Sequence, residues 1–250
     1  MKEKLRFIAV QEFDAYTNMA LDEVICNKVK SGESLPTIRL YRWKPCAISI
    51  GYFQGYSIEV NEKECIKQGV NIVRRRTGGG AVYHDNEGEI TYSIIAPESF
   101  FSKNIIESYK EICSILIDAL NELGIKAIFS PINDILVNDK KISGNAQTRR
   151  NGILLQHGTI LYKVDVDKMF SLLNVSKEKI ADKLIASVKK RVTSITNEME
   201  VSIEQLCVAL ENAFSQKYDL QKSEYTNEEL EEAKTLAKNT YSQDFWNKSR

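Results

Sequence analysis

Several things are scarce in this chain. Among its 250 residues there are only two histidines, His84 and His157, so any imidazole chemistry rests on one or both. Its five cysteines, Cys26, Cys46, Cys65, Cys113 and Cys207, are odd in number and scattered, with no CxxC pair. That argues against a disulfide framework or a cysteine metal site and fits reduced thiols in a cytoplasmic protein. Cys113 and Cys207 fall on apolar faces of expected helices and read as small core residues. Net charge is absent too: 34 basic side chains balance 34 acidic ones, so no global field draws the chain to nucleic acid or membrane. The charged opening Met1-Lys2-Glu3-Lys4-Leu5-Arg6 is not a signal peptide, and no apolar run approaches the roughly 20 residues that span a bilayer. Neither common phosphate loop is present. There is no GxxxxGK[ST], and a GxGxxG starting at Gly78 would need glycine where Tyr83 stands.

What is present is concentrated in two clusters. The first, Arg74 to Asp85, reads RRRTGGGAVYHD. Gly78-Gly79-Gly80 can approach a ligand closely and turn N–H donors toward it, and the arginines offer donor forks suited to phosphate or carboxylate. A flexible turn is the plain alternative for three glycines; the arginines beside them argue for an anionic ligand, a nucleotide by preference. The second cluster, Ser130 to Gly158, reads SPINDILVNDKKISGNAQTRRNGILLQHG.

A length of 250 residues fits one large domain, or one with a small appendage. Short runs rich in β-branched residues predict strands at Thr37–Tyr41, Ala47–Gly51, Asn71–Arg75, Ile90–Ile95, Ile135–Val137 and Thr159–Tyr162. Tyr109, Ile112, Leu116, Leu120 and Leu123 recur at helical spacing, stopped by Gly124, and Asn18 to Val29 reads as an earlier helix ending near Gly32. Ser202 and Thr226 each open a capping box for a late helix. The charged stretch 176–191 reads as a solvated helical face rather than a nucleic-acid site. The fold class is therefore α+β, with strands mostly early and helices concentrated late.

The two clusters together resemble the lipoate–protein ligase A family of the biotin/lipoate ligase superfamily. The matching pieces are RRRTGGGAVYHD, Asn133-Asp134, Lys141-Ile142-Ser143-Gly144-Asn145-Ala146 and Gln156-His157-Gly158, with Asn18 to Glu23 matching its opening helix and Tyr241 to Asn247 the end of its catalytic domain. The resemblance implies a mixed β-sheet core flanked by helices and one catalytic domain over residues 1–250. It implies an ATP-dependent ligase that converts lipoate to lipoyl-AMP and passes the lipoyl group to a lysine. Lys141 would be the catalytic residue, neutralising charge on phosphoryl and carbonyl oxygens. Arg75, Thr77, Gly78, Gly79, Gly80, Ala81 and His84 would wall the adenylate and acyl chain. Asn133 and Asp134 would hold the nucleotide side, Asp134 with Mg²⁺, while Gly144 and Ala146 leave room and His157 serves either the site or the core. An apolar slot near Tyr41, Ile48 and Tyr83 would take the acyl tail.

The implied cofactors are ATP and Mg²⁺, with lipoate or lipoyl-AMP as substrate. The implied partners are lipoyl-domain acceptors, namely 2-oxoacid dehydrogenase E2 and the glycine cleavage H protein. Longer relatives continue past the region matched by Trp246, so the chain resembles the large subunit of two-part ligases, whose small partner would be needed more for adenylation than for transfer. Octanoyl and lipoyl transferases of the same fold carry a nucleophilic cysteine shortly before the Asn133-Asp134 position, where this chain reads Ala127-Ile128-Phe129-Ser130-Pro131. That absence sets the ligase expectation above the transferase one. The Arg-Arg-x-Thr-Gly-Gly-Gly-Ala wording disfavours a biotin ligase, and the complete motif set disfavours a non-catalytic sensor or scaffold.

Overall fold

The computed structural model describes residues 2–174, 186–187 and 189–250. Most of the helix expected at 176–191 therefore lies outside the described residues. In chain order the elements are β1 (Lys4–Phe13), α1 (Ala15–Ser31), β2 (Thr37–Trp43), β3 (Ala47–Ile50), α2 (Tyr56–Glu59), α3 (Glu62–Lys67), β4 (Asn71–Arg74), β5 (Val82–His84) and β6 (Glu89–Pro97). After these come α4 (Ile105–Glu122), β7 (Ile128–Ser130), β8 (Asp134–Val137), β9 (Lys140–Arg150), β10 (Ile153–Leu161) and α5 (Val166–Leu172). The chain closes with α6 (Ile195–Glu198), α7 (Ile203–Lys217), β11 (Asp219–Lys222), α8 (Asn227–Leu236), a π-helical turn (Ala237–Tyr241) and α9 (Asp244–Asn247).

Eight strands form one mixed sheet in the order β11-β1-β2-β6-β10-β9-β8-β7. β1 runs parallel to both β11 and β2, and the remaining pairs are antiparallel. Side chains alternate across a strand, and both faces of this sheet are covered. Ile94 and Leu154 point into a core shared with Ile112, Leu116 and Leu120 of α4 and Leu206, Leu210 and Phe214 of α7. Their neighbours Ile95 and Leu155 point the other way, into a core with Leu21 and Ile25 of α1 and Ala233 of α8. Burial on both faces explains why β1 escaped prediction: Leu5 to Ile8 are buried as a continuous run, without the alternation of a half-exposed strand.

A second sheet of three strands, β4-β3-β5, packs on α2, α3 and α5 around Ile48, Ile50, Val60, Cys65 and Leu172. It carries the glycine-rich segment against the large sheet. Helix punctuation follows the sequence. Asp14 caps α1 by accepting from the N–H groups of Tyr16 and Thr17, starting it three residues before Asn18, and Gly32 ends it at φ 80°. Both expected capping boxes form, Ser202 with Gln205 and Thr226 with Glu229.

Candidate active site

Arg74 and Arg75 are scaffold, and their donors face inward. Arg74 donates to the carbonyls of Gly51, Tyr52, Gln54, Trp246 and Asn247, joining β4 to the chain's last helix. Arg76 pairs with Glu23 at 2.6 Å and donates to the Tyr241 hydroxyl. Arg75 commits its whole fork to the protein: Nε to Thr77 Oγ1, Nη1 to Ser49 O and Oγ, and Nη2 at 2.7 Å to both Gly78 O and Gly80 O. These bonds fold the three glycines around the guanidinium. Gly79 takes φ 93°, and its carbonyl would lie 2.0 Å from a Cβ at Gly51. The expectation that these arginines offer free forks to an anion is thereby corrected. Arg75 keeps a second role, because it is buried without a carboxylate partner among the described residues. Burial lowers its pKa to about 10 and leaves an uncompensated positive charge in the wall.

Two histidine chains lie beside Arg75. His157 Nδ1–H donates to the Asp22 carboxylate at 3.2 Å, which leaves Nε2 of the neutral ring to accept the proton of Thr77 Oγ1, 2.7 Å away, and Thr77 Oγ1 accepts from Arg75 in turn. Asp22 in turn receives Arg39 at 2.9 Å and the Ser93 hydroxyl. Burial alone would raise the Asp22 pKa; the Arg39 charge and the His157 and Ser93 hydrogen bonds hold it below the ordinary value. Burial, against the pull of Asp22, lowers that of His157, which is neutral near pH 7. The second chain is parallel in design. Ser49 Oγ accepts from Arg75 and lies 2.8 Å from His84 Nε2, while His84 Nδ1 lies 2.6 Å from Glu89 Oε1. The His84 ring stacks on Trp43 at 3.9 Å.

β9 brings the second cluster to the same place. The β8–β9 register shifts between Ile135 and Leu136, and beside this bulge Lys141 Nζ meets Asp134 Oδ1 at 2.7 Å. Neighbouring Lys140 is exposed. Gly144 is open because a Cβ there would lie 2.7 Å from the Lys141 ammonium. On β10, Gly158 faces Asn145, whose Oδ1 would meet an added Cβ at 2.1 Å. Asn145 donates to the carbonyl of Asn133 and receives the Tyr92 hydroxyl, tying three elements together.

These parts enclose a cavity of about 320 Å³, within the range of small-molecule sites. Of the residues expected from the sequence, Arg75, Gly79, Gly80, Ala81 and His84 of the first cluster line it. So do Asn133, Lys141, Gly144, Ala146 and His157 of the second. Thr77 stands behind His157 and is fully buried, Gly78 lies outside the lining, and Asp134 acts on the cavity through Lys141. For the apolar slot, Tyr41 and Tyr83 line the cavity with Met19, Trp43 and Met169, but Ile48 is in the core of the small sheet. Sequence reasoning missed Trp43, Ser49, Glu89, Asn145 and Thr159. Asn145 alone had a signal, its place inside the Lys141–Ala146 motif.

No cysteine lines this cavity among the described residues. Burial raises the thiol pKa of Cys65 and Cys207 to about 11 and of Cys113 to about 12, so none of these is an activated thiolate. Among the described residues no group of three His, Cys, Asp or Glu side chains converges on a point, and Asp134, the carboxylate expected beside Mg²⁺, engages Lys141 through Oδ1. No described helix is long and apolar enough to cross a membrane.

Comparison with known proteins places this geometry. The octanoyltransferase LipM of Brevibacillus brevis is 34% identical over 99% of this chain and 100% of its own. That of Staphylococcus aureus is 32% identical over 98% and 99%. Among solved structures, a bi-partite lipoate protein ligase of Thermoplasma acidophilum superposes with a TM-score of 0.90 at 31% identity, covering 98% of this chain and 96% of that one. A lipoate-protein ligase A bound with ATP gives 0.83 at 28% identity, covering 99% of each. The relatives named octanoyltransferase, alike over the full length, overturn the expected ATP-dependent ligase. Its main argument was one missing cysteine, and a missing nucleophile at one position does not fix the acyl donor. The Lipoyl protein ligase A/B catalytic domain model matches residues 14–215, and the chain belongs to that family.

Proposed function

We propose that this protein transfers an octanoyl group from a thioester donor to the lysine amine of a lipoyl-domain acceptor, a step of protein lipoylation. Full-length similarity to proteins named octanoyltransferase carries the reading. A thioester is already an activated acyl group, so the amine displaces a thiol without nucleotide. What the protein must supply is position and charge compensation.

The cavity supports both. Met19, Trp43, Tyr83 and Met169 offer apolar surface to an alkyl chain, while Lys141 and Arg75 put positive charge at polar positions of the same cavity. A tetrahedral intermediate places negative charge on the former carbonyl oxygen, and the Lys141 ammonium is the donor suited to meet it. Asp134 holds that ammonium in place, and Gly144 leaves it room. For the acceptor, the structural relative from Thermoplasma acidophilum is described together with its E2 lipoyl domain. A lipoyl domain is accordingly the acceptor class we assign.

The test is mass spectrometry of a lipoyl domain incubated with this protein and octanoyl-pantetheine, with no nucleotide present. The expected result is one octanoyl group on the acceptor lysine. Acylation that appears only with free octanoate or lipoate plus ATP would overturn the reading.

A further inference from the structure

No cysteine among the described residues lines the cavity, but its wall contains another group able to receive an acyl chain before the amine does. Ser49, His84 and Glu89 all line it, on β3, β5 and β6 respectively. Ser49 Oγ is 2.8 Å from His84 Nε2, and His84 Nδ1 is 2.6 Å from Glu89 Oε1. This is the order hydroxyl, imidazole, carboxylate that activates serine in unrelated hydrolases. Thr91 donates a further bond to Glu89 Oε1, and Trp43 both stacks on His84 and donates its indole N–H to Thr91. The imidazole is therefore fixed from the ring face and from both nitrogens.

We propose that Ser49 is the acyl-accepting nucleophile, with His84 as its base and Glu89 orienting His84; this rests on the acyl-transfer reading above. Ser49 Oγ attacks the thioester carbonyl carbon and its proton passes to His84 Nε2. The tetrahedral oxyanion collapses, the C–S bond breaks, and the departing sulfur takes the proton from His84. An octanoyl ester on Ser49 and a free thiol result. The acceptor amine then attacks the ester, its proton goes to His84, the C–O bond breaks and Ser49 recovers its proton. No oxidant, nucleotide or metal enters the balance. Arg75 Nη1, 3.1 Å from Ser49 Oγ, stabilises the negative charge that develops on that oxygen. The Thr77–His157–Asp22 chain has the same connectivity, but Thr77, unlike the equally buried Ser49, does not line the cavity. It is a positioning array behind the wall.

Two probes separate this proposal from the reading beneath it. The full chain is mixed with octanoyl-pantetheine without acceptor, acid-quenched and peptide-mapped; in parallel it is treated with an octyl fluorophosphonate, which marks activated serines whatever the natural donor. The expected result is an acyl group and a phosphonyl group on Ser49. Both should be lost in Ser49→Ala and His84→Gln, with transfer falling on the order of 10³-fold or more. Ser49→Cys should carry its acyl group as a thioester cleaved by neutral hydroxylamine. Acceptor acylation by the unaltered protein with nothing on Ser49 overturns the nucleophile while leaving the transferase reading intact. Phosphonyl label on Ser49 without thioester turnover supports the nucleophile and overturns the assigned donor. Labelling at neither step overturns the proposal even if Ser49→Ala fails to fold, because the unaltered chain is what is mapped.

Discussion

Lys141 Nζ stands 2.7 Å from Asp134 Oδ1 at a bulge between β8 and β9, so the one lysine of the Lys140–Lys141 pair that reaches the cavity is also the one held in place. Lys141→Ala should lower kcat by about 10² to 10³, the usual loss for a charge donor aimed at a developing oxyanion. Lys140→Ala, altering an exposed side chain, should leave kcat within about twofold. Steady-state kinetics of the two variants decide this, and equal small effects would remove Lys141 from the chemistry.

The glycines separate by what surrounds them. Gly51→Ala puts a Cβ 2.0 Å from the Gly79 carbonyl, and Gly158→Ala puts one 2.1 Å from Asn145 Oδ1. Each should cost about 1–3 kcal/mol in urea unfolding, as overpacking does. Gly78 and Gly80 have nothing within 4 Å of an added Cβ, so alanine there should change stability by less than about 0.5 kcal/mol. Reversal of that order would contradict the described loop.

Arg75→Lys is not conservative here. A lysine offers three donors and no planar fork, whereas Arg75 bridges Ser49, Thr77, Gly78 and Gly80 at once. Affinity for an octanoyl ligand should weaken about tenfold, equivalent to about 1.4 kcal/mol. Calorimetric titration of both proteins measures it, and unchanged affinity would show that the loop keeps its shape without the fork.

Stability should fall on mild acidification. The native pKa of His157 is lowered from about 6.5, chiefly by burial, so below neutrality the unfolded chain binds a proton that the native state resists. Its contribution is complete above pH 6.5 and is lost as pH falls toward the lowered native value. Asp22, also lowered, contributes above about pH 4 and loses its contribution in more acid solution. Denaturant melts from pH 7.5 to pH 5 should show decreasing stability, and His157→Gln should flatten the slope. An unaltered slope in that variant would assign the effect elsewhere.

Much of this was legible in the residues and some was not, for physical reasons. The glycine run and the Lys141–Ala146 segment identified the family because close backbone approach and one cavity lysine need particular residues in sequence. The arginine run misled because sequence shows donors without showing whether they are already engaged; Arg74 and Arg75 turn inward, and Arg76 is held through Nε by Glu23 and Tyr241. β9 is too polar to read as a strand, since one of its faces lines the cavity. Ser49, His84 and Glu89 meet only after three strands assemble, so a search for one cysteine near Asn133 could not register them.

The most direct test offers the protein both acyl sources in one tube. Unlabelled octanoyl-pantetheine and carbon-13 octanoate with ATP and Mg²⁺ are supplied at equal concentration, and the lipoyl-domain acceptor is weighed after partial conversion. The account predicts that the acceptor carries unlabelled octanoyl, at a rate unchanged when ATP is omitted. Predominantly labelled octanoyl, or a rate that vanishes without ATP, would contradict it.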